Sequence, residues 1–412
     1  MSVIGSLPDD PHRRIWGGRQ ILTLACEWFP KKSDNSKRGR HGPMQKIERN
    51  GMNRRAFMQV TGAGLAVMLS GSASGATHRL AFQTVDDVTL QVVVDAATFG
   101  PFLPDQVLPG LQVRRTGGGG GARMSRKSLM AEFGLSILAR STRGAETRQV
   151  MVDFGYSPEV LANNLQLLGI DPASIDAAVL SHGHLDHYGG FPGLFGSKAA
   201  GRKLPLIVGG EEAFCERVAM IGDPPPVMGI LDRGELARAG LVARIASDPI
   251  TVAGHAFTTG IIPLQGFERA AIPTRMRPGV GCDVLQLSPD KRRVTEIADD
   301  GEHELATCYA VKDLGLVVIA SCSHRGVLNT VRQAQAVSGI SKVHAVVGGF
   351  HLVRPRTEDE ARQTVTEFLK IDPTYIVPMH CTGEVFIAEA LRRMPEKVIR
   401  PYVGNQLVFR AT

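Results

Sequence analysis

Ser181-His182-Gly183-His184-Leu185-Asp186-His187 places three imidazoles and a carboxylate within seven residues. The segment follows directly on Asp176-Ala-Ala-Val-Leu180, a short apolar run that reads as a buried strand. In an extended stretch alternate side chains share one side, so His182, His184 and Asp186 are expected to converge. His187 is expected to enter from the next turn, and Gly183 to let the backbone pass close to whatever the others bind. Imidazole nitrogen with carboxylate oxygen is a donor set for zinc, and equally for manganese or iron. Four donors in six residues suit a pair of metals. The competing reading is a chance cluster of surface or core histidines. With 12 His in 412 residues, three at these offsets are hard to obtain by accident.

Further ligands are expected at the ends of other strands. Setting aside His12, His41 and His78 leaves nine histidines of the 12. His324 follows the apolar run Leu316-Val-Val-Ile-Ala320, His380 follows Tyr375-Ile-Val377, and His351 follows Val343-His-Ala-Val-Val347. His344 lies inside that last run and reads as a packed core residue. His303, in a charged turn, reads as solvated.

The remaining pattern is that of one α/β domain. Strands are also expected at 88–94, 134–140, 149–153, 206–208, 241–245 and 307–311. Helices are expected at 158–168, 327–337, 357–370 and 384–393. Thr357 with Glu360 three residues on reads as a capping box at the head of the third. The Gly117–Gly121 run, followed by Arg123, Arg126 and Lys127, lacks the spacing of a P-loop and reads as a surface loop.

His182-x-His184-x-Asp186-His187 resembles the signature of the metallo-β-lactamase superfamily. Asp153 in Val152-Asp-Phe-Gly155 matches an earlier strand-end Asp of that family, which orients the metal loop. Ser321-Cys-Ser-His-Arg-Gly326, Gly348-Gly-Phe-His-Leu352 and Pro378-Met-His-Cys-Thr-Gly383 look like one branch. That branch is named for 7,8-dihydropterin-6-methyl-4-(β-D-ribofuranosyl)aminobenzene-5'-phosphate synthase, and Glu132-Phe-Gly-Leu-Ser136 also fits it. The resemblance implies an αββα sandwich with metal between its sheet edges. It assigns His182, His184 and His324 to one ion, and Asp186, His187 and His380 to a second. Gly254-His255 mimics another family motif, which makes His255 the alternative to His324. No bridging Asp is evident. Asp186 and His351 are the candidate catalytic groups, His351 as proton donor or substrate contact. Cys322 and Cys381 flank the proposed ligands and read as buried small residues, with thiolate ligation the alternative.

Charge narrows the function classes. The chain holds 47 Lys+Arg and 40 Asp+Glu; its first 76 residues hold 12 and 5, so the remaining 336 carry 35 of each. The basic balance belongs to the N-terminal segment, which removes the argument for a nucleic-acid partner. No apolar run approaches the ~18–20 residues of a membrane span. Residues 1–76 read as a leader: Arg54-Arg55, a mildly apolar stretch Val60–Leu69, then Ser72-Ala-Ser-Gly-Ala76. Paired arginines before such a stretch resemble a twin-arginine signal, whose alternative is an amphipathic or core helix. Residues 1–43 hold both tryptophans and fit no part of a signal, so Met44 and Met52 are alternative starts. Cleavage near Ala76 would leave a body of 77–412.

The expected protein is a periplasmic, exported hydrolase carrying one or two Zn2+, with Mn2+ or Fe2+ as alternatives. Its partners would be a small-molecule substrate and the twin-arginine export machinery. It would act on an ester, phosphoester or lactone-like bond. A pterin-linked transferase is the first alternative, and a non-catalytic metal-binding protein the second.

Overall fold

Val88, Leu90 and Val92 of the strand Asp87–Val94 face one apolar cluster, while Val93 and Val94 face another. Ala177 and Val179 alternate with Ala178 and Leu180 between the same two clusters. A strand buried on both sides in this way must have a layer on each face. In this computed structural model, which describes residues 80–99, 103–115 and 126–411, that requirement is met by a four-layer sandwich. The leader and the Gly117–Gly121 run lie outside the described residues.

The larger sheet has nine strands among the described residues. Its parallel part runs through Glu146–Val152, Ala177–Leu180, Leu204–Val208 and Leu241–Ile245. The smaller sheet has six, with Gly315–Ser321, Val343–Gly348 and Tyr375–Pro378 parallel. Between the sheets lies the main core, where Val88, Leu90 and Val179 meet Tyr309, Val317, Ile319 and Val347. Leu161 and Leu165 of the helix Pro158–Leu167 cover the outside of the first sheet. Three helices, Val327–Ser338, Glu358–Ile371 and Glu384–Arg393, cover the second. The αββα order expected from the sequence is the order found.

The local signals act as their chemistry requires. Thr357 caps its helix with the reciprocal Glu360 bond of a capping box. Gly339, at φ +71°, ends the helix before it in a left-handed turn.

Besides short strands toward the sheet edges at Gln106–Leu108, Leu111–Arg114, Thr251–Val252 and Ala256–Thr258, two larger parts were not foreseen. The strand Gln406–Arg410 pairs with Asp87–Val94 in the middle of the large sheet, joining the two ends of the fold. Between residues 216 and 298, four short strands form a separate sheet, ordered Ile297–Ala298, Thr274–Arg277, Glu216–Ala219 and Val227–Gly229. Cys215 and Cys282 form a disulfide at its base.

Candidate metal centre

Five of the parallel strands, two from the larger sheet and three from the smaller, deliver their C-terminal ends to one place, as α/β sheets generally do. Asp153 follows Glu146–Val152, and His182 stands two residues past Leu180. From the other sheet come Cys322 and His324 after Ser321, His351 after Gly348, and His380 after Pro378. Asp153, Ser321, Ser323, His351 and His380 all have positive φ, between +42° and +59°. Non-glycine residues in that region are strained, and such strain gathers at functional sites.

Asp153 organises the loop. Its carboxylate accepts the Ser181 N–H at 2.7 Å, the Ser181 hydroxyl at 2.8 Å and His187 Nδ1–H at 2.8 Å. Ser181 Oγ, having given its proton to Asp153, accepts from His182 Nδ1 at 2.9 Å. In the neutral rings these bonds place the proton on Nδ1, which leaves the Nε2 lone pairs of His182 and His187 to face the other donors.

His182 Nε2 lies 3.0 Å from His184 Nδ1, and the His324 ring centroid is 4.8 Å from each of those two rings. The ligand atoms of His182, His184 and His324 all fall within 4.8 Å of one another. Asp186, His187 and His380 form a second such group, with Asp186 Oδ2 at 3.2 Å from His380 Nε2 and 3.7 Å from His187 Nε2. The six side chains singled out from the sequence therefore meet in two adjoining triads. His351 joins them, its ring 4.3 Å from that of His324.

The chemistry of the donors fits a cation. Burial, reinforced by His187, His184 and His324, holds His182 well below the usual imidazole range. Burial, then the Arg217 guanidinium, lowers His184 to about 3. Neutral imidazoles offer lone pairs. Burial opposes the charge on Asp186, but His187 and His380 outweigh it and keep the carboxylate ionised. Burial also opposes the His380 imidazolium, yet Cys381 and Asp186 raise it to about 9. His324 Nε2, His380 Nδ1 and both ring nitrogens of His351 are buried without a hydrogen-bond partner, while His380 Nε2 faces the Asp186 carboxylate at 3.2 Å. Such orphans are costly unless something ligates them. A divalent cation held by the first triad would engage His324, and one held by the second would engage His380.

Several expectations are corrected. Asp186 does not share an extended stretch with His182 and His184: His184 caps a short helix, Leu185–Tyr188, and Asp186 projects from its first turn. Gly183 is needed for a different neighbour. A Cβ there would stand 2.3 Å from Ala213 O and 2.8 Å from the Arg217 guanidinium. His303 is not solvated but 3 % exposed, its Nε2 accepting the Gly183 N–H at 3.1 Å and a proton of Arg217 at 3.1 Å. His255 pairs with Ser141 Oγ at 2.9 Å. Ser141 lies five residues along its strand from Ser136, whose hydroxyl donates to Asp153 O, a separation of roughly 17 Å. Of the two alternatives, His324 is the one at the centre.

Other contributors were not visible in the sequence. Thr274 Oγ1 stands 3.1 Å from His184 Nε2, with Asp299 behind it at 3.9 Å from the same nitrogen. Arg217, fully buried, donates to Asp299 at 2.8 Å. All three belong to the small sheet or its flanks, far from the motif in sequence. Glu304 accepts the backbone N–H of His324 and of Arg325, fixing that turn. Cys322 Sγ lies 3.1 Å from His187 Nε2 and 3.2 Å from Cys381 Sγ, so its sulfur belongs to the cluster rather than to the surrounding core. His344, as expected, is packed: it lies against Tyr375 and Phe409 and reaches Gly110 O.

The sequence pattern of the metallo-beta-lactamase superfamily matches residues 131–204, the stretch that carries Asp153 and the histidine motif. A protein of Methanocaldococcus jannaschii named 7,8-dihydropterin-6-methyl-4-(beta-D-ribofuranosyl)-aminobenzene-5'-phosphate synthase is 30% identical over 285 residues, 68% of this chain and 90% of that protein. An uncharacterized protein of the same organism is 25% identical over 260 residues, 62% of this chain and 86% of its own. Among solved structures, one described as a metal-dependent hydrolase of the beta-lactamase superfamily superposes with a TM-score of 0.56 at 23% identity. It covers 77% of this chain and 98% of that one, a likeness of fold.

Proposed function

The chain belongs to the metallo-β-lactamase superfamily, and on that premise we propose that it is an exported metal-dependent hydrolase of an ester, phosphoester or lactone-like bond. The observation that carries this reading is the convergence of two donor triads, with orphaned imidazole nitrogens, beneath an open cavity. His182, His184 and His324 would hold one divalent ion, and Asp186, His187 and His380 a second. Zinc suits the imidazole-rich set best, with manganese or iron as alternatives. Bound there, the metal supplies Lewis acidity and an activated water nucleophile with a pKa near ~7.

The protein's own groups do the rest. Asp153 and Ser181 hold His182 and His187 in the ligating tautomer. Thr274 and Asp299 do the same for His184. Asp186 and His351 line the cavity, where Asp186 can orient the attacking water and His351 can deliver a proton to the leaving group. A transferase resembling the 30% identical synthase is the second reading, favoured by that relative's name.

Twin-arginine export to the periplasm is part of the proposal. The Cys215–Cys282 disulfide supports it, since such bonds persist in oxidising compartments. The test is turnover by purified protein supplied with Zn2+, Mn2+ or Fe2+, on a panel of carboxylic esters, lactones and phosphoesters. Hydrolysis abolished by a chelator and restored by one of these metals is the expected result. Full metal loading without hydrolysis of any panel member would contradict the hydrolase and leave a transferase or a metal carrier.

A further inference from the structure

Phe133 and Tyr156 are large aromatic side chains left 62 % and 49 % exposed beside the donor cluster. They are not loosely held. The Glu132 carboxylate accepts the N–H of Tyr156 at 2.8 Å and of Ser157 at 3.1 Å, and the Ser157 hydroxyl at 2.5 Å. Gly134 has no room for a Cβ, with Tyr156 N at 2.8 Å and Asp186 O at 2.9 Å from where one would sit. The turn that displays the two rings is thus locked against the helix that carries Asp186. The Phe133 ring rests 4.8 Å from the His380 ring, so the lip is continuous with the proposed metal ligands.

The facing wall comes from the small sheet and its flank, as Met228 and Pro273. The enclosed space is about 120 Å3. That is well below the roughly 300–1,000 Å3 of pockets that engulf a whole ligand, room for a reacting group but not for a long substrate. Any remainder must lie across Phe133 and Tyr156. Among the described residues no Lys or Arg lines the cavity, whereas phosphate recognition ordinarily uses such cations. Exposed aromatic surface at the mouth of a polar site calls for an apolar ligand to cover it.

We propose that the substrate is a carboxylic ester or lactone with an apolar acyl group, and that Phe133 and Tyr156 form its acyl subsite. This rests on the hydrolase reading. In the reaction the oxygen of water bonds to the carbonyl carbon and the acyl C–O bond breaks. The leaving oxygen takes a proton, so one water and one ester give one acid and one alcohol.

The experiment uses metal-loaded protein and p-nitrophenyl acetate, butyrate, hexanoate and phosphate. Across the ester series kcat/KM should rise by roughly 10-fold, the scale of a few half-covered methylenes, and exceed that for the phosphate. Phe133→Ala should flatten the series through KM, while Phe133→Leu, which keeps an apolar side chain, should preserve the slope. A flat series in the parent protein, or faster turnover of the phosphate than of hexanoate, would overturn the subsite. Calorimetric titration with hexanoate and with inorganic phosphate separates this from the hydrolase question. If no ester or phosphate is turned over but hexanoate binds, and binds about 5-fold more weakly to Phe133→Ala, the subsite stands and the hydrolase reading falls. Hexanoate binding no tighter than phosphate, or equal in both proteins, would remove the subsite.

Discussion

Asp153 shows how one carboxylate can set a whole donor group, because three of its bonds fix the tautomers of His182 and His187 through Ser181 and directly. Supporting groups of this kind typically change metal affinity by ~10–100-fold when lost. Asp153→Asn should weaken zinc binding by about that factor, measured by chelator competition. His184→Ala should remove most bound metal, because no neighbouring side chain can replace it; full metal content by elemental analysis would take His184 out of the site. His324→Ala should lose metal and His255→Ala should not. The reverse pattern would exchange them. The six proposed ligands were legible because three imidazoles and a carboxylate crowd into residues 182–187 and His324 and His380 follow apolar strands. His303 was misplaced because its turn is rich in acids, and nothing local announces that Arg217 and Gly183 close over it. Cys322 is buried as the sequence suggests, but a cysteine between serines carries no signal that its sulfur turns toward His187.

The strands and helices followed their periodicity closely. Capping, left-handed glycines and continuous apolar runs are local properties, and the sandwich was readable from them. The small sheet was not. Its strands span two to four residues, interrupted by Gly222-Asp-Pro-Pro-Pro226, too short for either period to emerge. Yet this sheet supplies Thr274, Asp299 and Arg217 behind His184, and the wall facing Phe133. Thr274→Val removes the hydroxyl at constant shape and should lower zinc affinity by about 10-fold, with Thr274→Ser restoring it. Unchanged affinity in the Val variant would mean that the small sheet only covers the site.

Charge divides the chain more sharply than any local pattern, with the basic excess in residues 1–76 and an even balance beyond them. A centre built from five separated segments forms only once the chain has folded, and metals compete for it outside the cytoplasm. Export of a folded, loaded protein would fix the metal's identity first, which fits Arg54-Arg55 ahead of such a body. Arg54→Lys combined with Arg55→Lys should hold a folded, metal-loaded precursor in the cytoplasm; mature protein still appearing in the periplasm would exclude a twin-arginine signal. The central claim, that two adjoining triads bind the metal, is tested most directly by anomalous diffraction at the zinc edge from crystals of the zinc-loaded protein. The account predicts one or two peaks, bounded by His182, His184 and His324 and by Asp186, His187 and His380. A zinc-loaded crystal with its only peaks elsewhere, at His255 or on the surface, would contradict it.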